Sequence, residues 1–152
     1  MPAILFVCLG NICRSPMAEG VMNQLLRQNN IQNQVIDSAA TLANHVGERP
    51  FSKTIAVCEK YGVKLNHFAR KIQESDYQEF DFIFTMDNRI HKTVISLKPE
   101  SCKSQIFLFR EFDPLHNGDL ETPDPYFGDI DDFENVYQIC LRTCNEIIHK
   151  FL

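Results

Sequence analysis

The chain lacks any apolar run of the length needed to cross a bilayer, and its start lacks a basic stretch followed by an apolar segment and a small-residue cleavage site. No membrane association is expected, and the expected compartment is the cytoplasm; export by a route that leaves no N-terminal mark stays compatible with the sequence. The six cysteines include no Cys-x-x-Cys pair and the five histidines are scattered, so neither a metal site nor any other cofactor is expected. Cysteines in a chain without a visible leader are expected to be reduced thiols. Cys58, Cys102, Cys140 and Cys144 read as packing residues. No repeat, low-complexity tract or linker divides the sequence. Between Arg110 and Arg142 there is no Lys or Arg, while Glu111, Asp113, Asp119, Glu121, Asp124, Asp129, Asp131, Asp132 and Glu134 fall in that stretch. Most of these read as a solvated acidic surface. With a formal net charge of −5, nucleic acid is not the expected partner.

What is present is an ordinary globular composition, 44% hydrophobic and 23% charged over 152 residues, enough for one domain spanning residues 1–152. Strand and helix patterns alternate along it. The run 3–8 reads as a fully buried strand. Ser15 fits an N-cap and Pro16 the first helical position of a helix running to about Asn29. Strands are predicted at 33–40, 80–86 and 105–111. Helices are predicted at 52–61, ended by Gly62, at 75–80, at 88–97 capped by Asp87, and at 130–151. Four apolar strands alternating with helices imply a mostly parallel sheet covered on both faces. The one long irregular segment, 112–129, carries Pro114, Pro123 and Pro125, and a loop of that length in a compact domain is usually functional.

The segment CLGNICRS, residues 8–15, joins the first strand to the first helix. Ligands of open α/β sheets bind beyond the carboxyl ends of the strands, where Cys8 lies. Backbone N–H groups of Leu9, Gly10, Asn11, Ile12, Cys13 and Arg14 are suited to form an anion-binding nest, reinforced by the helix dipole. Gly10 and Asn11 both tolerate left-handed backbone angles. Arg14 offers a planar fork matched to two phosphate oxygens. A free thiol titrates near ~8.5, and a helix N-terminus beside a cation lowers this to roughly 3.5–7.5, so Cys8 is expected to act as a thiolate facing bound phosphate. The Ser15 hydroxyl is placed to donate to that sulfur. A bland alternative is a phosphate-binding loop without catalysis.

The stretch VCLGNICRSPMAEG resembles the signature loop of low-molecular-weight protein tyrosine phosphatases. DSAAT (37–41), HVGE (45–48), HFAR (67–70), FTMD (84–87) and TPDPYFGD (122–129) follow in that family's order and spacing, covering essentially the whole chain. The resemblance implies an α/β, flavodoxin-like three-layer sandwich built on a four-stranded parallel sheet with helices on both faces. It implies hydrolysis of phosphotyrosine monoesters, in proteins or small aryl phosphates, through a phosphocysteine intermediate. Cys8 is then the nucleophile, Arg14 the phosphate clamp and Asp124, within Asp124-Pro125-Tyr126, the general acid and later general base. No metal is required. Asn11 resembles the family's loop-bracing asparagine, Ser38 the serine supporting it, and His67 a supporting histidine. Cys13 resembles the neighbour able to trap an oxidised nucleophile. A monomer or weak homodimer is expected.

The pocket wall departs from the family. Asn44 stands where many relatives carry an aromatic residue, Phe51 where they carry Asp, and Ile90 where they carry Asn. Only Tyr126 remains of two adjacent tyrosines, followed by Phe127. Aromatic contact with substrate is expected to weaken or to shift to Tyr126 and Phe127. An arsenate reductase on this fold is the main rival, but it needs two further cysteines near positions 80–90, and that region has none.

Overall fold

The computed structural model describes residues 2–152. Its sheet contains β1 (Ala3–Cys8), β2 (Val35–Ala40), β3 (Phe82–Thr85) and β4 (Gln105–Leu108), all parallel, in the order β2-β1-β3-β4. Helices α1 (Arg14–Gln28), α2 (Ser52–Lys60), α3 (Asp76–Glu79), α4 (Asn88–Ser96) and α5 (Ile130–Phe151) complete the fold. The expected four-stranded, three-layer α/β architecture is observed. From β1 the chain goes first to β2 on one side and then to β3 on the other, so its winding reverses at β1 and opens a crevice at the carboxyl ends.

Alternation along β1 decides which side each residue serves. Ile4, Phe6 and Cys8 face the core made with α1, α2 and α5, while Ala3, Leu5 and Val7 face the core made with α3 and α4. Every residue of β1 is buried, as its unbroken apolar run requires. Cys8 is therefore delivered to the α1 face at the end of a strand pinned on both sides. Thr41 N–H donates to Cys8 O at 3.0 Å, and Met86 N–H donates to Val7 O at 3.1 Å.

Several boundaries differ from the sequence reading, each for a local reason. The N-cap of α1 is Cys13, not Ser15, and no side chain caps that end; the Ser15 hydroxyl is used elsewhere. β2 starts at Val35 because Asn33 has a left-handed φ of 67°. β4 stops at Leu108, and residues Phe109–Phe112 form a 3-10 turn. Residues three apart eclipse in such a turn, so Phe109 and Phe112 both pack against Phe84, with centroids 6.5 and 5.7 Å away. Asp87 caps α4 as expected, accepting from Ile90 N–H at 2.8 Å. Gly62 follows the end of α2 with a φ of 70°.

The acidic stretch is not uniformly a solvated surface. Asp113 is buried, and it accepts from Arg142 Nε (2.6 Å) and Nη2 (3.0 Å), from Arg110 Nε (3.1 Å) and from Leu115 N–H (2.9 Å). Asp129 and Asp132 form a capping box at the start of α5.

Candidate active site

The loop after β1 wraps around a pocket of about 180 Å³ lined by Cys8, Leu9, Gly10, Ile12, Cys13, Arg14, Asn44, His45, Asp124, Tyr126 and Phe127. Among the described residues, the N–H groups of Leu9 to Cys13 donate to no protein acceptor. Unpaired donors in a loop this buried are suited to an external anion.

The loop holds its shape through Asn11, which is fully buried and left-handed at a φ of 58°. Its Oδ1 accepts from the backbone N–H of Arg70 at 3.0 Å, which fixes the amide's orientation. The Nδ2 group therefore faces the other way and donates to Ser15 Oγ at 2.7 Å and Ser38 Oγ at 2.9 Å. With its oxygen accepting from Asn11, the Ser15 hydroxyl has its own proton free for Cys8 Sγ, 2.9 Å away. One asparagine thus directs a serine O–H onto the sulfur. Gly10 serves differently from expectation: its φ is not left-handed. A Cβ there would instead lie 2.9 Å from His45 Cδ2, so the ring of His45 packs where a side chain would be.

Behind Asn11, His67 Nε2 lies 2.6 Å from Asn11 Oδ1, which requires that nitrogen to carry a proton. Its Nδ1 faces Glu19 at 3.2 Å and Asp37 at 3.5 Å. Burial pushes the Glu19 carboxyl up to about 7, and burial also pulls the His67 imidazole down, opposed by Asp37. Arg70 pairs with Asp37 at 3.0 Å, and Ser38 Oγ donates to Glu19 at 2.6 Å. Glu19, Asp37 and His67 form the one cluster among the described residues with the spacing of metal ligands. Arg70 already supplies a cation beside it.

Arg14 is buried, and a single nitrogen carries its side-chain hydrogen bonds. Nη1 donates to Asp87 Oδ2 at 2.8 Å and to Thr122 O at 3.0 Å. Nε and Nη2 are thereby left as a two-donor edge on the pocket side, with Nη2 3.6 Å from Asp124 Oδ2. Burial alone lowers the Arg14 guanidinium, but Cys8, Asp87 and Asp124 more than offset it and hold it above its ordinary value. Asp124 is 44% exposed, and its Oδ1 accepts from Tyr126 N–H at 3.1 Å. Burial, with Cys8 nearby, pushes the Cys13 thiol up to about 12.

All the residues expected at the phosphate loop and pocket wall meet at this pocket or directly behind it. Asn44, Tyr126 and the almost fully exposed Phe127 all line the pocket. Phe51 packs between Tyr126 (tilted, 5.0 Å) and Phe133 (stacked, 5.9 Å) and so supports the tyrosine. Sequence reasoning missed His45, whose ring lies 6.2 Å from Tyr126, and the partnership of Arg14 with Asp87 and Thr122. Asp87 was visible as a helix cap and as the end of FTMD, and nothing local signals that its second oxygen holds an arginine 73 residues away.

The family model described as low molecular weight phosphotyrosine protein phosphatase matches residues 3–151. The chain is 39% identical to the human protein of that name over 97% of this chain and 94% of the relative, and 38% identical to the Saccharomyces cerevisiae protein over 99% and 95%. A solved Entamoeba histolytica protein tyrosine phosphatase with Hepes in its active site superposes with a TM-score of 0.93 at 35% identity, covering 99% and 96% of the two chains. A drosophila arginine phosphatase superposes with a TM-score of 0.91 at 31% identity, covering 99% and 98%. A thiol, a ring of free amides, a guanidinium edge and a carboxylate around one pocket, together with likeness over nearly the whole chain, establish that this protein belongs to the low molecular weight phosphotyrosine protein phosphatase family.

Proposed function

We propose that this protein hydrolyses aryl phosphate monoesters, phosphotyrosine in proteins above all, with Cys8 as nucleophile, Arg14 as phosphate clamp and Asp124 as general acid and base. The observation that carries the reading is the Asn11–Ser15–Cys8 relay, which aims a hydroxyl proton at a sulfur inside a ring of unpaired amides. Phosphate binds the N–H groups of residues 9–14 and the Nε/Nη2 edge of Arg14. Cys8 attacks phosphorus in line, the P–O bond to the phenol breaks, and Asp124 gives its proton to the leaving oxygen. Asp124 then takes a proton from water, which attacks the phosphocysteine and releases phosphate and the thiolate. The Ser15 hydroxyl stabilises that departing sulfur. Positioned charge supplies most of the rate, because the transition state is loose.

Leu9, Ile12, Tyr126 and Phe127 give the pocket the apolar walls an aromatic ring needs. Of the six cysteines only Cys8 and Cys13 line it, so no further thiol stands ready for the electron relay of an arsenate reductase. Cys13, held as a neutral thiol, lines the same pocket and captures an oxidised Cys8. The protein acts in the cytoplasm, as a monomer or weak homodimer, and none of the described helices is long and apolar enough to cross a membrane.

The test is turnover of phosphotyrosine peptides and p-nitrophenyl phosphate in the presence of a chelator, with phosphoserine and phosphoarginine as comparators. The reading expects aryl esters to be preferred and Cys8→Ser to lose on the order of 10⁴-fold or more in kcat. Activity that survives Cys8→Ser, or a preference for phosphoarginine, overturns it.

A further inference from the structure

The acid loop poses a mechanical problem that the phosphate loop does not. Asp124 sits after a long irregular segment in which no residue between Asp113 and Thr122 is buried: Leu115 is 57% exposed, and Asn117 and Gly118 turn with left-handed φ values of 50° and 88°. Yet a general acid must sit within hydrogen-bond reach of the leaving oxygen. Something polar has to fix this segment.

One side chain reaches its beginning, middle and end. Arg110, in the 3-10 turn after β4, donates from Nε to Asp113 Oδ2 at 3.1 Å. Its Nη1 donates to Asp119 Oδ2 at 3.4 Å and to the backbone oxygen of Glu121 at 2.9 Å. The side chain is only 14% exposed. Asp113 is already matched by two hydrogen bonds from Arg142, so its charge does not require Arg110. Beyond Glu121 the fixed points follow at once. Glu121 Oε2 accepts from Asn88 N–H at 2.7 Å, Thr122 N–H donates to Met86 O at 2.7 Å, and Thr122 O accepts from Arg14. Asp124 is two residues further on.

We infer that Arg110 is a positioning residue for the general acid: its guanidinium cross-links residues 113, 119 and 121 and so sets where Asp124 stands. The inference rests on the reading of Asp124 as proton donor. Arg110 touches no part of the pocket, so its removal leaves phosphate binding and the attack of Cys8 intact while loosening the proton transfer.

The experiment compares two substrates in a double-mutant cycle. Phenyl phosphate has a basic leaving group that needs the proton, whereas 2,4-dinitrophenyl phosphate has one that does not. Arg110→Met is expected to lower kcat/KM for phenyl phosphate about tenfold, and for the dinitrophenyl ester by less than about twofold. In an Asp124→Asn background, the same change is expected to add no leaving-group-dependent loss. Arg110→Lys keeps a charge beside Asp113 but cannot reach Asp119 and Glu121 as a fork, so it is expected to shift the substrate ratio in the same direction; it carries the test if thermal melting shows Arg110→Met unfolded. Equal losses on both substrates, or a loss that persists undiminished without Asp124, overturn the inference. If Asp124→Asn itself leaves the ratio unchanged, the acid assignment falls and this inference with it. If Asp124→Asn collapses the ratio and neither Arg110 variant moves it, the role of Arg110 alone is rejected.

Discussion

Two of the loops that build the pocket are held in opposite ways. Residues 8–15 are short and mostly buried, and they are locked from behind by one asparagine whose amide has every partner satisfied. Residues 113–129 are long and largely exposed, tied down at a few polar points, with the working carboxylate 44% open to solvent. The difference follows from their tasks. A phosphate cradle stabilises charge only if its donors need no reorganisation during reaction. A proton donor that becomes a proton acceptor must meet first a phenol and then a water, so it needs access. Arg14 links the two regions, touching Thr122 O and approaching Asp124 while its free edge serves the cradle.

That comparison is broken most severely at Arg14. Arg14→Lys removes the planar edge and the link to Thr122 together, and a loss of about 10²–10³ in kcat/KM is expected for any aryl ester, whatever its leaving group. Steady-state kinetics on the phenyl and dinitrophenyl esters measures this; a loss confined to the phenyl ester would assign Arg14 to the acid loop alone.

Asn11→Ala attacks the cradle only. It leaves Ser15, Ser38 and the Arg70 amide without their partner and strips a left-handed position of a residue that tolerates it. Expected effects are a loss of about 1–3 kcal/mol in stability and roughly tenfold in kcat/KM, equal for both esters because proton delivery is untouched. Urea unfolding and the same kinetic pair check it.

The smallest effect on rate is expected at Asp113, which anchors the other loop. Burial alone would raise its carboxyl, but hydrogen bonds from Arg142, Leu115 N–H and Arg110 hold it below its ordinary value. A carboxyl lowered on folding stabilises the protein above its unfolded pKa, about 3.9, and that contribution is lost as pH falls through the folded value. Asp113→Asn is therefore expected to destabilise the protein at neutral pH by on the order of 1–3 kcal/mol and to flatten the fall in stability on acidification. Melting temperature against pH measures both.

The two regions also differed in how far they could be read from sequence. The cradle is a local object: the buried strand, Gly10 and Asn11 inside the turn and Arg14 at the helix start lie within a dozen residues, so their purpose shows in their spacing. Even there, Ser15 was read both as a cap and as a donor to Cys8, and the folded turn keeps only the second, because Asn11 Nδ2 and Cys8 Sγ both engage its hydroxyl. The acid loop was legible in outline, from its length and prolines, and Asp124 stood out only through family resemblance. Its supports were not legible. Arg110 and Asp113, at the 3-10 turn, meet Arg142 of α5, and Asp87 meets Arg14 across 73 residues; no periodicity records such pairs. Reading the acidic stretch as solvent-facing failed at Asp113 for the same reason, since its cations lie outside the run.

Covalent capture of phosphate by Cys8 is the step on which every other role in the pocket depends. Rapid acid quench of Asp124→Asn during turnover of 2,4-dinitrophenyl phosphate, followed by mass spectrometry of the peptides, tests this directly, because attack proceeds there while hydrolysis of the intermediate is slowed. One added phosphoryl group on the peptide carrying Cys8, absent in the Cys8→Ser,Asp124→Asn double variant, is the predicted result. A turning-over enzyme that shows no phosphoryl group there, or one that shows it on another residue, would contradict it.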